Sequence, residues 1–231
     1  MTTLHDELAA TVKDTFAKQW TRRDGRKVPE PGEIKLGNDG VKLQATVLYA
    51  DLADSTGLVN KYPATFAAEV YKTYLYCAAK IIRSLGGVIT AYDGDRVMAV
   101  FVGDNKNTMA AECGLKINHA VQKIVQPALE KQYPERKSFK IRQKIGVDSS
   151  ELLVAQTGIR GSNDLVWVGK AANYAAKMAA LSASYSTYIS ETVYTRMNKS
   201  SRISNGGRNM WTQLSNRPLG LLYGSNWTWP I

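Results

Sequence analysis

The sequence predicts an α+β fold in which a mixed, largely antiparallel sheet is flanked by helices. An apolar run over residues 41–51 has the length and composition of a strand that is buried on both faces. Two short apolar runs flank Asp93-Gly94, and Asp-Gly is a common two-residue turn of β-hairpins. Apolar residues recur every three or four positions over 63–85 and 108–132, which indicates two amphipathic helices.

The remaining elements complete this fold in chain order. They are a helix over residues 1–22, hairpin strands over 88–92 and 96–102, strands over 139–147, 152–156, 165–168 and 187–190, and a helix that carries Asn173 and Lys177. We expect Pro127 to kink or shorten the helix over 108–132. The order β-α-β-β-α-β is that of the ferredoxin-like split βαβ sandwich.

We predict three segments along the chain. Residues 1–40 are an N-terminal helix and a Pro- and Gly-rich connector, 41–199 form the central domain, and 200–231 are a Trp-rich extension. We expect the extension to pack on the body or on a partner chain.

Composition limits the function classes. Thirty basic and twenty acidic residues give a net charge of +10, which favours polyanionic partners such as nucleic acid or a triphosphate, or simply keeps the chain in solution. A nucleic-acid partner is not expected, since no aromatic-basic strand motif or helix-turn-helix pattern is present. We expect no membrane association, because no apolar run approaches the roughly 20 residues that span a bilayer and the first thirty residues lack the apolar core of a signal peptide. We expect Cys77 and Cys113 to be free thiols. We also expect a cytoplasmic location.

Four side chains suggest a nucleotide triphosphate site. Asp51 ends the apolar strand and Asp95 adjoins the hairpin turn, and two carboxylates at one sheet edge suit hard divalent metals. Asn173 and Lys177 lie four residues apart and so share one helix face. Tyr49 points to the same side of its strand as Asp51, because side chains alternate along a strand.

The segment after Asp51 is small and rich in hydroxyl groups. Its backbone N–H groups, at residues such as Ala53, Ser55 and Thr56, are placed to meet phosphate oxygens at a helix entry. The alternative is that Ser55 and Thr56 only cap the helix that follows.

Four ordered segments of the chain resemble the class III nucleotidyl cyclases, and together they span roughly residues 41–190. The segments are 47–56 and 86–101, which resemble the two metal-aspartate segments, 144–150, which is similar to the strand that follows, and 168–178, which resembles the Gly-x-x-x-Asn-x-Ala-Ala-Arg helix.

The resemblance implies a homodimer with two active sites at its interface. One chain would supply Asp51, Leu52 and Asp95 as ligands of two Mg²⁺ or Mn²⁺ ions per site, one ion lowering the pKa of the attacking ribose 3′-hydroxyl. The other chain would supply Asn173 to orient the ribose and Lys177 to neutralise transition-state charge. The family has Arg where this chain has Lys177, which keeps the charge but loses the planar fork.

Two positions that read a purine in the family are apolar here. The resemblance places base recognition at Ala91 and Val166, and neither side chain makes a hydrogen bond, so each is a poor purine reader. Tyr49 replaces the usual Phe and adds a hydroxyl. This pattern is similar to the pyrimidine cyclases of Pycsar antiphage defence, which implies cyclisation of UTP or CTP, with UTP favoured, and a separate effector that binds the cyclic nucleotide product.

Three other interpretations stay open. The first alternative is an adenylate cyclase with an unusual base pocket. The second is a catalytically inactive homologue that only binds nucleotide. A diguanylate cyclase shares the topology, but its Gly-Gly-Asp/Glu-Glu-Phe turn is absent, and Tyr92-Asp93-Gly94-Asp95-Arg96 stands at that place.

Overall fold

A computed structural model describes residues 3–182 and 184–231. Its helices are α1 (Leu4–Ala17), α2 (Ser55–Lys61), α3 (Ala64–Ser84), α4 (Lys106–Ala120), α5 (Gln126–Gln132), α6 (Lys170–Ala179), α7 (Glu191–Arg196) and α8 (Lys199–Arg202). Its strands are β1 (Thr21–Gly25), β2 (Asp39–Leu52), β3 (Val88–Asp93), β4 (Arg96–Phe101), β5 (Gln143–Ile159), β6 (Ser162–Val168), β7 (Thr187–Ser190), β8 (Thr212–Asn216) and β9 (Gly220–Ser225). No helix in the described part of the chain is long and apolar enough to cross a membrane.

The strands form one mixed sheet in the order β3-β4-β2-β5-β7-β9-β8, with β1 added to β2 and β6 added to β5. The β1–β2 and β5–β7 pairs are parallel and the other pairs are antiparallel. Helices cover the sheet, so the predicted α+β class with its largely antiparallel sheet is confirmed. Both β1 and the β8–β9 hairpin belong to the same sheet as the central strands.

The central strand β2 divides the core into two clusters. Leu48, Ala50 and Leu52 point into a large cluster with α3 and α4. Val47 points the other way, into a second cluster with α6. Because side chains alternate along a strand, Tyr49 and Asp51 lie on the α6 side of the sheet.

On the N-terminal side, the predicted end of the first helix was wrong and two short elements were missed. The helix predicted over residues 1–22 ends at Ala17, and Thr21–Gly25 forms a strand parallel to the start of β2. The residues of this strand are polar and exposed and do not alternate with apolar ones. The two-residue repeat of hydrophobicity that indicates a strand was therefore absent, and β1 was not predicted. The short helix α2 was not predicted either, since seven residues are too few for a periodic pattern.

The strands predicted over 139–147 and 152–156 are in fact one strand, β5, of 17 residues. Polar residues between the two apolar runs suggested a loop, yet Asp148 and Ser149 are buried within the sheet. The Ser149 hydroxyl donates to the Ala45 carbonyl at 3.2 Å and pairs with the Thr46 hydroxyl at 3.1 Å. Hydrogen bonds to the neighbouring strand therefore allow Ser149 inside a buried strand.

The predicted helix over 108–132 is interrupted as Pro127 indicated. α4 ends at Ala120, a π-helical turn spans Val121–Val125, and α5 begins at Gln126. Proline has no N–H to donate to the preceding turn, so a local widening of the helix before it removes the conflict.

The C-terminal tail packs on its own chain. The Asn118 side chain on α4 donates to the Asn226 and Trp227 carbonyls, each at 3.0 Å. The Trp229 amide donates to the Leu115 carbonyl at 3.2 Å. Of the two predicted locations for this segment, the body of the same chain is the one observed.

Candidate active site

Asp51 stands in the middle of the sheet, one residue before the end of β2. It pairs with Lys144 on β5, and its side chain is half-buried on the α6 side. Burial, followed by the negative charge of Asp95, raises the pKa of Asp51 to about 6, and the Arg96 guanidinium partly opposes this. A carboxylate that is held close to a second carboxylate at a half-buried place is suited to a cation.

Asp95 lies in the hairpin turn itself, which corrects the prediction that Asp93-Gly94 forms the turn and that Asp95 adjoins it. Asp93 ends β3 and pairs with Arg96, so Gly94 and Asp95 are the two turn residues. Gly94 has φ 60°, as the first position of a type II′ turn requires. The Asp95 Oδ2 atom is buried and has no hydrogen-bond partner. A buried acceptor without a partner costs free energy, and a bound cation would remove that cost.

Sequence reasoning missed Arg96, which connects several of these groups. Its guanidinium bonds to Asp93 Oδ2 at 2.5 Å and lies 5.7 Å from the centre of the Tyr49 ring. Tyr49 is half-buried, and burial raises the pKa of its hydroxyl. Alternation along the predicted strand could have found Arg96, because it places Arg96 on the same side of β4 as Met98. In the structure Met98 packs in the α6 cluster, the side on which Asp51 lies.

The loop after β2 borders a cavity of about 680 Å³. Asp51, Leu52, Ala53, Ser55 and Thr56 all line it, so the structure brings these predicted residues together. The Leu52 side chain is buried in the core on the other side of the sheet, so only its backbone is available to a ligand.

The alternative that Ser55 and Thr56 act as caps is not supported. The N-cap of α2 is Asp54, which has φ 59° and makes no cap hydrogen bond with its side chain.

Two cations, Arg142 just before β5 and Lys144 on it, also line this cavity and were not predicted. Arg142 is exposed, and its carbonyl accepts the Ala53 amide at 2.8 Å. Lys144 is half-buried, donates to the Tyr185 carbonyl at 2.8 Å and lies 5.6 Å from the centre of the Tyr188 ring. The predicted strand over 139–147 already contained both residues, but the sequence did not show that β5 pairs with β2 and sets Lys144 opposite Asp51.

Asn173 and Lys177 share the exposed face of α6, as their spacing predicts, but neither lines the Asp51 cavity of the same chain. The opposite face of α6 packs closely on β5, where a Cβ atom at Gly146 would lie 2.0 Å from the Ala175 carbonyl oxygen. Lys177 Nζ lies 5.9 Å from the centre of the Tyr174 ring. The helix therefore holds Asn173 and Lys177 outward, where a second molecule can reach them.

Ala91 and Val166 lie apart in the sheet and line no part of the Asp51 cavity. Ala91 is on the edge strand β3, beside a register shift, and packs at the margin of the α6 cluster. Val166 is on β6 and is 39% exposed, on the side opposite Leu165 and Trp167. Neither side chain offers a hydrogen bond to a base.

The residues at this site fit a divalent cation of the Mg²⁺ type. No group of three or more His, Cys, Asp or Glu residues is placed to hold a metal within residues 3–182 and 184–231. Asp51 and Asp95 form a pair instead, and Mg²⁺ is commonly bound by one or two carboxylates together with water and substrate phosphates. The partnerless oxygen of Asp95 and the raised pKa of Asp51 both indicate a missing positive charge.

Comparisons with known proteins show the family to which the chain belongs. The chain is 47% identical over 231 residues to a uridylate cyclase of Xanthomonas perforans, covering 99% of both chains. It is 46% identical over 231 residues to a uridylate cyclase of Burkholderia cepacia, again covering 99% of both. The chain belongs to the uridylate cyclase family. It is a nucleotidyl cyclase. No protein-family model matches it.

Solved structures show the same fold at low sequence identity. A bacterial light-regulated adenylyl cyclase superposes with a TM-score of 0.69 at 19% identity, over 81% of this chain. The match spans 52% of that longer protein, about half its length. The class III cyclase fold predicted from the four segments is thus confirmed.

Proposed function

We propose that this nucleotidyl cyclase is a uridylate cyclase that converts UTP to 3′,5′-cyclic UMP and pyrophosphate. The ribose 3′-oxygen forms a bond to the α-phosphorus, the bond from the α-phosphorus to the bridging oxygen of the β-phosphate breaks, and the hydroxyl proton passes to solvent. The observation that carries the proposal is the full-length sequence identity to uridylate cyclases. The chain also has two carboxylates, Asp51 and Asp95, that interact at one half-buried place.

Asp51 and Asp95 are the residues that would hold Mg²⁺ or Mn²⁺, with the Leu52 carbonyl as a further ligand. The resemblance to class III cyclases implies two ions per active site. Such ions make the 3′-hydroxyl more acidic and neutralise the triphosphate. The protein contributes one carboxylate on β2 and one in the turn of the adjacent β3–β4 hairpin, so their positions do not depend on the substrate.

The cavity at Asp51 is where the triphosphate would lie. Ser55 and Thr56, in the first turn of α2, border it with their backbone amides, whereas the Ala53 amide is already bonded to the Arg142 carbonyl. Arg142, just before β5, and Lys144, on β5, add two positive charges. Amides and cations together match phosphate oxygens and the charge of departing pyrophosphate.

A second copy of the chain would complete each site. Asn173 and Lys177 face outward on α6 and line no part of the Asp51 cavity of their own chain. In a homodimer, Asn173 would orient the ribose and Lys177 would stabilise the charge that develops in the transition state. This arrangement explains why two polar groups with the spacing of an active-site pair are held away from the carboxylates.

The base pocket favours a pyrimidine because the two purine-reading positions, Ala91 and Val166, are apolar. Tyr49 and Arg96 supply polar groups on the Asp51 side of the sheet, with the guanidinium 5.7 Å from the ring centre. We place UTP ahead of CTP, since the relatives at 47% and 46% identity are named uridylate cyclases. As in the Pycsar systems, cyclic UMP would act on a separate effector in antiviral defence.

Product identification tests the proposal. The purified full-length chain is given equal concentrations of ATP, GTP, CTP and UTP with Mn²⁺, and the cyclic products are separated by mass spectrometry. We expect cyclic UMP as the dominant product. Dominant cyclic AMP or cyclic GMP contradicts the base assignment, and the absence of any cyclic nucleotide contradicts the assigned catalysis.

A further inference from the structure

Helix α1 carries an apolar face that no other described residue of its chain buries. Leu4, Leu8, Val12 and Phe16 recur every four residues, and their exposed fractions range from 54% at Val12 to 86% at Phe16. No residue of α1 is buried, although a capping box closes its first turn. A regular amphipathic helix with a fully exposed apolar face is typical of a segment that binds a groove.

A groove without an occupant lies elsewhere on the same chain. Its volume is about 420 Å³, and it runs between α3 on one side and the π turn with α5 on the other, so we call it the α3–α5 groove. The floor is apolar and buried, made of Phe66, Val70, Val125 and Leu129. Two large side chains on its rim are left in water, since Tyr76 is 66% exposed and Ile124 is 51% exposed.

The spacing on α1 selects the way it packs. Apolar residues at i, i+4, i+8 and i+12 form a single inclined ridge, which fits the groove of a crossing helix pair. A coiled coil between two α1 helices needs alternating steps of three and four, which would place Thr11 and Thr15 in the seam after Leu8. The ridge therefore favours a groove over a copy of α1.

Lysines stand around the α3–α5 groove, while Glu69 in its lining accepts a hydrogen bond from the Tyr133 hydroxyl. Within α1 there are three acidic residues (Asp6, Glu7, Asp14) and a single lysine, Lys13. Lys72 and Lys80 stand four residues before and after Tyr76 on α3, and Lys131 follows the groove on α5. All three lysines are exposed, and none forms an ion pair within the described residues. An acidic helix is in turn a poor ligand for anionic membrane surfaces.

We propose that α1 of one copy docks in the α3–α5 groove of a second copy, and that the second copy returns the contact. Within one chain α1 is held elsewhere, because the Asn38 side chain donates to the Thr15 and Lys18 carbonyls at 2.8 and 2.7 Å beside the start of β2. The groove adjoins the first half of α3, which follows the far end of β2. Exchange by two-fold symmetry buries both apolar surfaces in each copy.

Cross-linking of the full-length chain tests this contact. Cys77 lines the groove and is half-buried, whereas the other cysteine, Cys113, is buried. Variants Leu8→Cys and Phe16→Cys, treated with a short bismaleimide, should form a covalent dimer that disappears when Cys77→Ser is added. Ala10→Cys, on the opposite face of α1, is the matched control and should not cross-link.

The other outcomes overturn the proposal. A covalent dimer that persists with Cys77→Ser would mean that α1 pairs with α1, a link within one chain would mean docking in the same molecule, and no link would mean that the groove is not the site. Ile124→Glu, at an exposed rim position, should lower the cross-linking yield about tenfold, and an unchanged yield also overturns it. Cyclase activity is measured separately, so either proposal can fail without the other.

Discussion

The carboxylate of Asp51 should weaken the metal-free fold, so its removal by Asp51→Asn should stabilise the protein while abolishing catalysis. The pKa of Asp51 is raised from 3.8 to about 6 by burial and by the charge of Asp95. A shift of this size corresponds to roughly 3 kcal/mol of unfolding free energy. Because the side chain is only half-buried, solvent screening reduces the expected gain to about 1 kcal/mol.

The sign of the pH dependence follows from the direction of that shift. Below the unfolded pKa of 3.8 the carboxyl is protonated in both states, so wild type and Asp51→Asn should be equally stable with respect to this group. As pH rises through 6, wild type must lose a proton that the folded state binds more tightly, and it loses stability relative to the variant. The difference between the two proteins should therefore be widest above pH 6.

Thermal unfolding in EDTA measures this difference. At pH 7.5 the variant should melt about 2–4 °C higher than wild type, the shift expected for 1 kcal/mol in a chain of this size. Added Mn²⁺ should raise the melting temperature of wild type but not of Asp51→Asn. Asp24→Asn, an exposed aspartate on β1, is the control and should change neither value. A metal-free Asp51→Asn that is less stable than wild type, or a difference that does not vary with pH, would refute this reasoning.

Four further predictions concern the proposed site. Mixing inactive Asp51→Asn with inactive Lys177→Ala should restore activity up to about a quarter of wild type if each site uses both chains; no recovery despite proven subunit exchange would point to a single-chain site. Lys177→Ala alone should lower kcat about 10²–10³-fold, whereas Lys177→Arg should stay within about tenfold of wild type because the charge is kept. Arg96→Gln removes the cation that lowers the pKa of Asp51, so the acid limb of the pH–rate profile should move to higher pH, with Arg96→Lys restoring it; an unmoved limb would contradict the electrostatic role. Ala91→Lys combined with Val166→Asp should raise the ratio of kcat/KM for ATP to that for UTP by about tenfold, and an unchanged ratio would mean that the base is read elsewhere.

Periodicity alone was enough for the centre of the sheet. The apolar run before Asp51 predicted β2, and alternation placed Tyr49 and Asp51 on one side of it. The hairpin and the helix that carries Asn173 and Lys177 followed from turn chemistry and from spacing. These features depend on neighbours close in sequence, so local rules are sufficient.

The features that sequence reasoning missed depend on contacts between distant segments. The polar residues at 148–151 separated two predicted strands, because the hydrogen bonds of Ser149 to another strand cannot be seen in a one-dimensional pattern. Arg142 and Lys144 were missed because the pairing of β5 with β2, which sets Lys144 opposite Asp51, joins segments far apart in the sequence. β1 was missed since an exposed strand has no buried face to give it a period of two.

The most direct test of the central claim is a crystal structure with Mn²⁺ and 3′-deoxy-UTP, which lacks the attacking hydroxyl. We predict anomalous Mn²⁺ density between Asp51 and Asp95, with the triphosphate in the adjoining cavity and with Asn173 and Lys177 of a second copy facing the ribose and phosphates. Manganese bound away from these two carboxylates, or a nucleotide that contacts only one chain, would contradict the account.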